Sequence, residues 1–238
     1  MNIQVLYEDN HVIAVYKPAG VLVQQDETKG RVLTDEVKKY LKDKHKKQGN
    51  VFLGMVHRLD RNVSGIVLFG KTSKGASRLS EQFRSREIKK IYHAVVEGEL
   101  APKNGKLIHF SKKDEERRVA VISDSPQDGY DQLELDYEVV RSNKYHSLVK
   151  INLKTGRFHQ IRAQFSAIGH PVVGDIKYSD KRQATSRHGR ASPKVGDKKI
   201  MSGGIALCAT EVEFKTATTD EIKNIKIDYP KEWSNYFN

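Results

Sequence analysis

Short apolar segments separated by polar turns run along most of the chain. The first two are parted by Glu8-Asp9-Asn10 and followed by Lys17-Pro18-Ala19-Gly20, which predicts a strand pair that ends in a tight turn. Alternation of apolar and polar residues predicts further strands and a β-hairpin. The predicted strands cover residues 3–7, 11–16, 89–100 and 205–214, and the hairpin covers residues 129–154.

Three segments have the spacing of apolar residues that is typical of amphipathic helices. The first is predicted from Thr34 as N-cap, the second from Ser73, and the third over residues 158–168 with Gly169 after its end. Together the segments predict a mixed α/β fold of the α+β type. We expect a single domain over residues 1–238, with a large, mainly antiparallel mixed β-sheet flanked by helices and loops.

The chain is strongly basic. Its 238 residues include 42 Lys and Arg against 30 Asp and Glu, a formal net charge of +12. This excess is either a solvated lysine-rich surface or the footprint of a polyanionic partner, and the second interpretation is the stronger. A polar stretch at about 177–203 is rich in Lys and Arg and has no apolar periodicity, which predicts a basic surface loop.

Several features predict a cytoplasmic protein without membrane attachment. The N-terminal residues lack the basic and apolar regions of a signal peptide, and no apolar run approaches the ~20 residues of a membrane span. The one cysteine, Cys208, excludes an internal disulfide and fits a reducing compartment.

Candidate chemistry begins with His57-Arg58-Leu59-Asp60-Arg61, which lies between two apolar segments. A partly buried acid among cations is either a structural ion pair or a functional carboxylate. Asn62-Val63-Ser64-Gly65 predicts a turn directly after the acid. Asp60 would therefore be held rigidly yet remain accessible, which favours a functional role.

Two more segments carry candidate residues. Tyr92 lies on a predicted strand and is either a core tyrosine or a ring that stacks on a planar substrate. Thr155-Gly156-Arg157-Phe158-His159-Gln160-Ile161-Arg162 is a glycine turn that opens a helix. The first helical N–H groups and Arg157 would form an anion site there, although a pair of surface arginines is the simpler interpretation.

These segments in this order resemble the RluA-type pseudouridine synthases, which isomerise uridine in structured RNA. The resemblance is carried by HRLDRNVSG, KKIYHAVVEGEL and LKTGRFHQIRAQFSAIGHPVVGDIKY, together with the opening YEDNHVIAVYKPAGVLVQ, and covers about residues 3–178. It implies a pseudouridine synthase-like fold. The pattern begins near Met1, so we expect the small S4-like N-terminal RNA-binding domain of some relatives to be absent.

The resemblance also implies roles for individual residues. Asp60 would be the catalytic aspartate, Tyr92 the tyrosine that stacks on the target base, Arg162 the partner of Asp60, and Arg58 the residue that fills the gap left by the flipped base. We expect Tyr92 also to help remove the C5 proton if its hydroxyl reaches that carbon. The remaining predicted substrate contacts are His57, Arg61, Arg157, His159 and Gln160. The reaction involves neither redox chemistry nor group transfer from outside, so no cofactor and no metal are expected.

The sequence leaves the RNA substrate and the exact role of the acid open. The partner would be structured RNA, either rRNA or tRNA, bound by a protein that we expect to be a monomer. Asp60 could attack carbon or accept a proton from the sugar. A non-catalytic RNA-binding protein would also be basic, but it would not need Asp60, Tyr92 and Arg162 together. A hydrolase is disfavoured because the chain has no Gly-x-Ser-x-Gly motif and no second well-placed carboxylate.

Overall fold

A computed structural model describes residues 3–25, 30–46, 48–179 and 204–238. Most of the predicted basic loop at 177–203 therefore lies outside the described residues. The strands are β1 (Val5–Glu8), β2 (Val12–Lys17), β3 (Gly54–Met55), β4 (Ser64–Gly70), β5 (Lys89–Glu97), β6 (Asn104–Asp114), β7 (Val119–Ser123), β8 (Asp131–Ser142), β9 (His146–Leu153), β10 (Leu207–Lys215) and β11 (Ile222–Lys226). The helices are α1 (Leu33–Lys44), α2 (Ser73–Arg84), α3 (Gln160–Ala167) and a 3-10 helix, Lys231–Tyr236.

The chain divides into two compact units. The first comprises Met1–His93 and Cys208–Lys231, and the second comprises Ala94–Leu207 and Glu232–Asn238. The boundary falls within β5, so Tyr92 belongs to the first unit. That the whole chain is a single domain stays a prediction.

In the first unit, β4 is the central strand. It pairs antiparallel with β2 and β3 and in parallel with β10, and every one of its residues is buried. A strand covered on both faces reads as a continuous apolar run, as Gly65-Ile66-Val67-Leu68-Phe69 does. Strand β1 pairs with β2 and β11 pairs with β10, both antiparallel. A hydrophobic core formed by β2, β4, β10, β11 and Leu79 of α2 holds β4 in place.

The second unit contains an antiparallel meander. Strand β6 pairs with β7 and β8, and β8 pairs with β9. Helix α3 packs against β7, and Ala163 of the helix shares a small core cluster with Val119, Ala120 and Tyr178. The unit therefore positions α3, which carries Arg162, by apolar contacts with a strand.

The predicted fold class is confirmed: the described residues form an α+β protein with a large mixed sheet, in which only the β4–β10 pair is parallel among the strand pairs with a described register. The hairpin is confirmed as β8 and β9. Thr34 as N-cap of α1 was wrong: the helix begins at Leu33, with extended Val32 before it. Thr72 caps α2, since its side chain accepts a hydrogen bond from the Gly75 N–H group at 3.1 Å.

Candidate active site

Asp60 lies between β3 and β4 at the start of a turn, which the sequence predicted over residues 62–65; Ser64 and Gly65 already belong to β4. The Asp60 carbonyl accepts a hydrogen bond from the Val63 N–H group at 3.1 Å, which closes the turn. The Asp60 side chain is half-buried, whereas Arg58 and Arg61 beside it are exposed. The turn therefore holds the acid at the margin of the core, where a carboxylate is partly desolvated but reachable.

Lys17, at the end of β2, binds the turn that carries Asp60 through its ammonium group. It is fully buried, and its ammonium donates hydrogen bonds to the carbonyls of Pro18, Val21 and Arg61 at 3.0, 2.9 and 3.0 Å. The Gly20 N–H group also donates to the Arg61 carbonyl at 2.7 Å, and the Arg61 Nε donates to the Gly20 carbonyl at 3.2 Å. One buried cation thus joins the turn after β2 to the turn that carries Asp60.

Burial lowers the pKa of Lys17 to about 8, and the negative charge of Asp60 opposes that shift. The lysine is therefore cationic at neutral pH and lies within electrostatic range of the carboxylate. Gly65 allows the strands to meet there: a Cβ at this position would lie 2.3 Å from the Ala209 carbonyl oxygen of β10. The close approach of β4 and β10 brings buried Cys208 beside Ser64.

Tyr92 is half-buried on β5, in the same unit as Asp60. Burial raises the pKa of its hydroxyl, and the negative charge of Asp60 raises it further. The structure therefore brings the predicted acid and the predicted stacking ring into one electrostatic neighbourhood. A phenol held in its protonated form can stack on a base or donate a hydrogen bond.

His57 lies within the packing of the first unit. Its Nε2 accepts a hydrogen bond from the Leu68 N–H group at 2.9 Å, and its ring stacks on Phe83 with centroids 4.6 Å apart. Burial lowers the pKa of His57 to about 3, so the ring is neutral. This geometry favours a role in fixing the turn, and contact with a substrate stays a prediction.

Arg162 belongs to the second unit. Its side chain is 6% exposed, and its Nε and Nη2 donate to the two carboxylate oxygens of Asp175 at 2.6 and 2.9 Å. The guanidinium also lies over the ring of Tyr178, 5.1 Å from the centroid. A guanidinium has five N–H donors, so the two bonds to Asp175 are compatible with a second carboxylate partner. That this partner is Asp60 stays a prediction.

The turn before α3 is held by its own side chains. Gln160 is buried: its Oε1 accepts from the Thr155 hydroxyl and the Arg157 N–H group, and its Nε2 donates to the Glu134 carbonyl and to Gln164. Arg157 pairs with Asp131 at 3.1 Å in an exposed position. His159, with φ 52°, interacts through Nδ1 with the Tyr178 hydroxyl at 2.9 Å. Substrate contacts by these residues stay predictions.

Within the described residues, no three side chains of His, Cys, Asp or Glu are grouped as a metal site would require, and no helix has the length and apolar character to cross a bilayer.

Comparison with known proteins settles the family. The sequence profile of the RNA pseudouridylate synthases matches residues 11–167, a span that includes Asp60, Tyr92 and Arg162. The chain belongs to this family. It is therefore an RNA pseudouridine synthase, an isomerase that acts on RNA.

Relatives within the family support the same assignment. The chain is 31% identical to a tRNA pseudouridine synthase C of Haemophilus ducreyi, over 100% of this chain and 96% of the relative. It is 34% identical to the enzyme of the same name from Yersinia pestis, over 76% of this chain and 72% of the relative. Among solved structures, human RNA pseudouridylate synthase domain containing 4 shares the fold, with a TM-score of 0.76 at 22% identity over 97% of this chain and 90% of that one.

Two residues of the site escape sequence reasoning. The pattern around Lys17 predicts only a turn, although the lysine ends an unbroken apolar run just before Pro18-Ala19-Gly20. A lysine in that position is a signal for a buried ammonium that binds turn carbonyls, as this one does. Asp175 stands in a segment that carries the family resemblance, but nothing in that segment indicates its partner Arg162, which lies 13 residues away.

Proposed function

We propose that this RNA pseudouridine synthase isomerises uridine in tRNA, with Asp60 as the catalytic carboxylate. The observation that carries the proposal is the placement of Asp60, on a hydrogen-bonded turn, in the same unit as half-buried Tyr92, whose pKa the Asp60 charge raises. The choice of tRNA over rRNA is supported by the relatives named tRNA pseudouridine synthase C.

In the proposed reaction the bond between ribose C1′ and uracil N1 breaks, the base rotates, and a bond forms between C1′ and C5. The proton on C5 is then lost and N1 regains one, so the product is an isomer of the substrate. Asp60 either attacks a carbon centre or accepts a proton from the sugar, and both roles need an ionised carboxylate. We propose that Tyr92 stacks on the target base through its ring and that its hydroxyl helps to remove the C5 proton.

The target base must leave the RNA stack before it can react. Unstacking costs a few kcal/mol, which contacts in the pocket must offset. We propose that the base stacks on Tyr92 and that Arg58, which is exposed on the same turn as Asp60, occupies the gap left in the RNA.

The resemblance to the family supports two further assignments. We propose that Arg162 pairs with Asp60 while it stays bound to Asp175, which would give the catalytic carboxylate a cationic partner. We also propose a cytoplasmic monomer. The buried free thiol of Cys208 is consistent with a reducing compartment.

The function is tested with RNA transcripts that carry tritium at C5 of uridine. Unmodified tRNA should release tritium in the presence of the protein, and pseudouridine mapping should locate the site. Asp60→Asn should release none, whereas Asp35→Asn, a change of an exposed acid on α1, should react like the wild type. Tritium release from rRNA but not from tRNA would overturn the proposal that tRNA is the substrate. Tritium release by Asp60→Asn would overturn the assignment of Asp60 as the catalytic carboxylate.

A further inference from the structure

Among the cations of the first unit, Arg58, Arg84, Arg86 and Lys90 have no acidic partner in the described part of the chain. Their side chains make no ion pair and no hydrogen bond with any described residue, although other arginines of the described chain are paired, such as Arg78 with Glu81 and Arg31 with Glu36. The acid next to Arg86 in sequence, Glu87, is bound to Lys215 at 3.0 Å. These cations are therefore not neutralised by the described part of the protein.

The segments that carry Arg58 and Arg84 meet at one ring contact, and Arg86 and Lys90 follow Arg84 along the chain. His57 stacks on Phe83, which places the Arg58 segment next to the end of α2, where Arg84 lies. Two residues on, Arg86 has a left-handed backbone with φ 62° and is exposed. Lys90 is the second residue of β5 just beyond, and its charge acts on His57 while that of Arg86 acts on Lys90.

Of these four cations, Lys90 has the least favourable surroundings for its charge. It is half-buried, and burial together with the positive charge of Arg86 lowers its pKa to about 8. A partly desolvated ammonium beside a second cation is unfavourable unless an anion compensates it. Lys90 and Tyr92 are two residues apart on one strand, so their side chains leave the same face about 7 Å apart.

We propose that Lys90 and Arg86 form a binding site for a backbone phosphodiester of the RNA, adjacent to the nucleotide whose base stacks on Tyr92. This inference rests on the proposed function, since it places the phosphate relative to the target uridine. The chemistry is that of a charge-assisted contact: two cations without acidic partners face a single anion. Such a contact fixes the register of the RNA and carries no information on base sequence.

The alternative to a phosphate site is a purely structural role for Lys90, in which its aliphatic stem covers apolar residues and the ammonium reaches water. Lys90→Met separates the two interpretations, because methionine keeps an unbranched apolar stem and removes the charge. Lys89→Met is the matched control: Lys89 is the exposed neighbour on the opposite face of β5, and its charge acts on Glu211.

The test is RNA affinity as a function of salt. An unmodified tRNA transcript is titrated in increasing KCl, and all proteins carry Asp60→Asn so that the RNA is not converted. Lys90→Met should weaken binding roughly tenfold and lower the slope of log affinity against log salt by about 0.7 to 0.9. Lys89→Met should change affinity by less than about twofold, and Lys90→Arg should keep the slope.

Equal affinities and slopes for Lys90→Met and Lys89→Met would overturn the phosphate site. If Lys90→Met melts at a lower temperature, Arg86→Met supplies the same readout from an exposed residue. With Asp60 intact, Lys90→Met should raise KM and leave kcat within about twofold. Tritium release by the unsubstituted protein is measured separately, so failure of the proposed function and failure of the phosphate site give different results.

Discussion

The two arginine-rich motifs look alike in sequence but hold their charges differently. In the motif that contains Asp60, Arg58 is exposed and has no acidic partner among the described residues. In the motif before α3, Arg157 is paired with Asp131, and Arg162 is bound to Asp175 by two hydrogen bonds. The first motif thus presents charge to an outside molecule, whereas much of the charge of the second serves its own fold.

This contrast predicts which changes damage activity and which damage stability. A half-buried acid on a solvent-facing turn contributes little to folding but can be essential to the reaction. A buried ion pair behaves in the opposite way, because removal of one partner leaves the other charge without compensation. Substitutions in the two motifs can break or sharpen this division, and the largest effect is expected at Asp60.

Asp60→Asn should reduce isomerisation by at least about a thousandfold, because the amide neither attacks carbon nor accepts a proton. The free energy of unfolding should change by less than about 1 kcal/mol, since the residue is only half-buried. Tritium release and urea denaturation measure the two quantities on one preparation. A large loss of stability with Asp60→Asn would mean that the acid is a structural residue and that the contrast is false.

Asp175→Asn should have the larger effect on folding. The side chains of Asp175 and Arg162 are 1% and 6% exposed, so the substitution leaves a buried guanidinium without that charge partner. We expect a loss of about 3 kcal/mol in the free energy of unfolding, measured by urea denaturation. Asp131→Asn, which breaks the exposed pair with Arg157, is the control and should cost less than about 1 kcal/mol. Equal losses would show that burial does not distinguish the two pairs.

The sequence predicted most elements of this fold and the turn that carries Asp60, but it did not predict the tertiary partners. Apolar periodicity located α2, β5 and the β8–β9 hairpin because the pattern that forms each of them lies within a short stretch of sequence. It gave no indication of β6 and β7, where the alternation is broken by charged residues such as Lys112 and Lys113. The bonds of Lys17 and Asp175 depend on tertiary contacts, which a local pattern does not contain.

The pH dependence of stability shows whether His57, although it belongs to the Asp60 motif, is buried in the folded protein. The pKa of His57 is about 3 in the folded protein and near 6.5 when unfolded, so the unfolded chain binds the extra proton between these values. Stability should therefore fall as pH drops below 6.5, by roughly 1.5 kcal/mol on reaching pH 5. His57→Gln should lose most of this dependence in urea denaturation across that range. If His57→Gln kept the pH dependence of the wild type, the His57 ring would not be buried in the folded protein.

The finest test compares two exposed arginines, Arg58→Met and Arg157→Met. Both should change the free energy of unfolding by less than about 0.5 kcal/mol, since Arg58 has no acidic partner in the described chain and the pair of Arg157 with Asp131 is exposed. Their activities should differ: Arg58→Met should slow isomerisation by about tenfold or more if Arg58 fills the gap left by the flipped base, because the unstacked state loses a compensating contact. Arg157→Met should lose less, since its guanidinium is already shared with Asp131. Single-turnover rates at saturating RNA separate this effect from binding. If Arg157→Met proved the slower enzyme, charge in the second motif would also be presented to the substrate, and the division between the two motifs would fail.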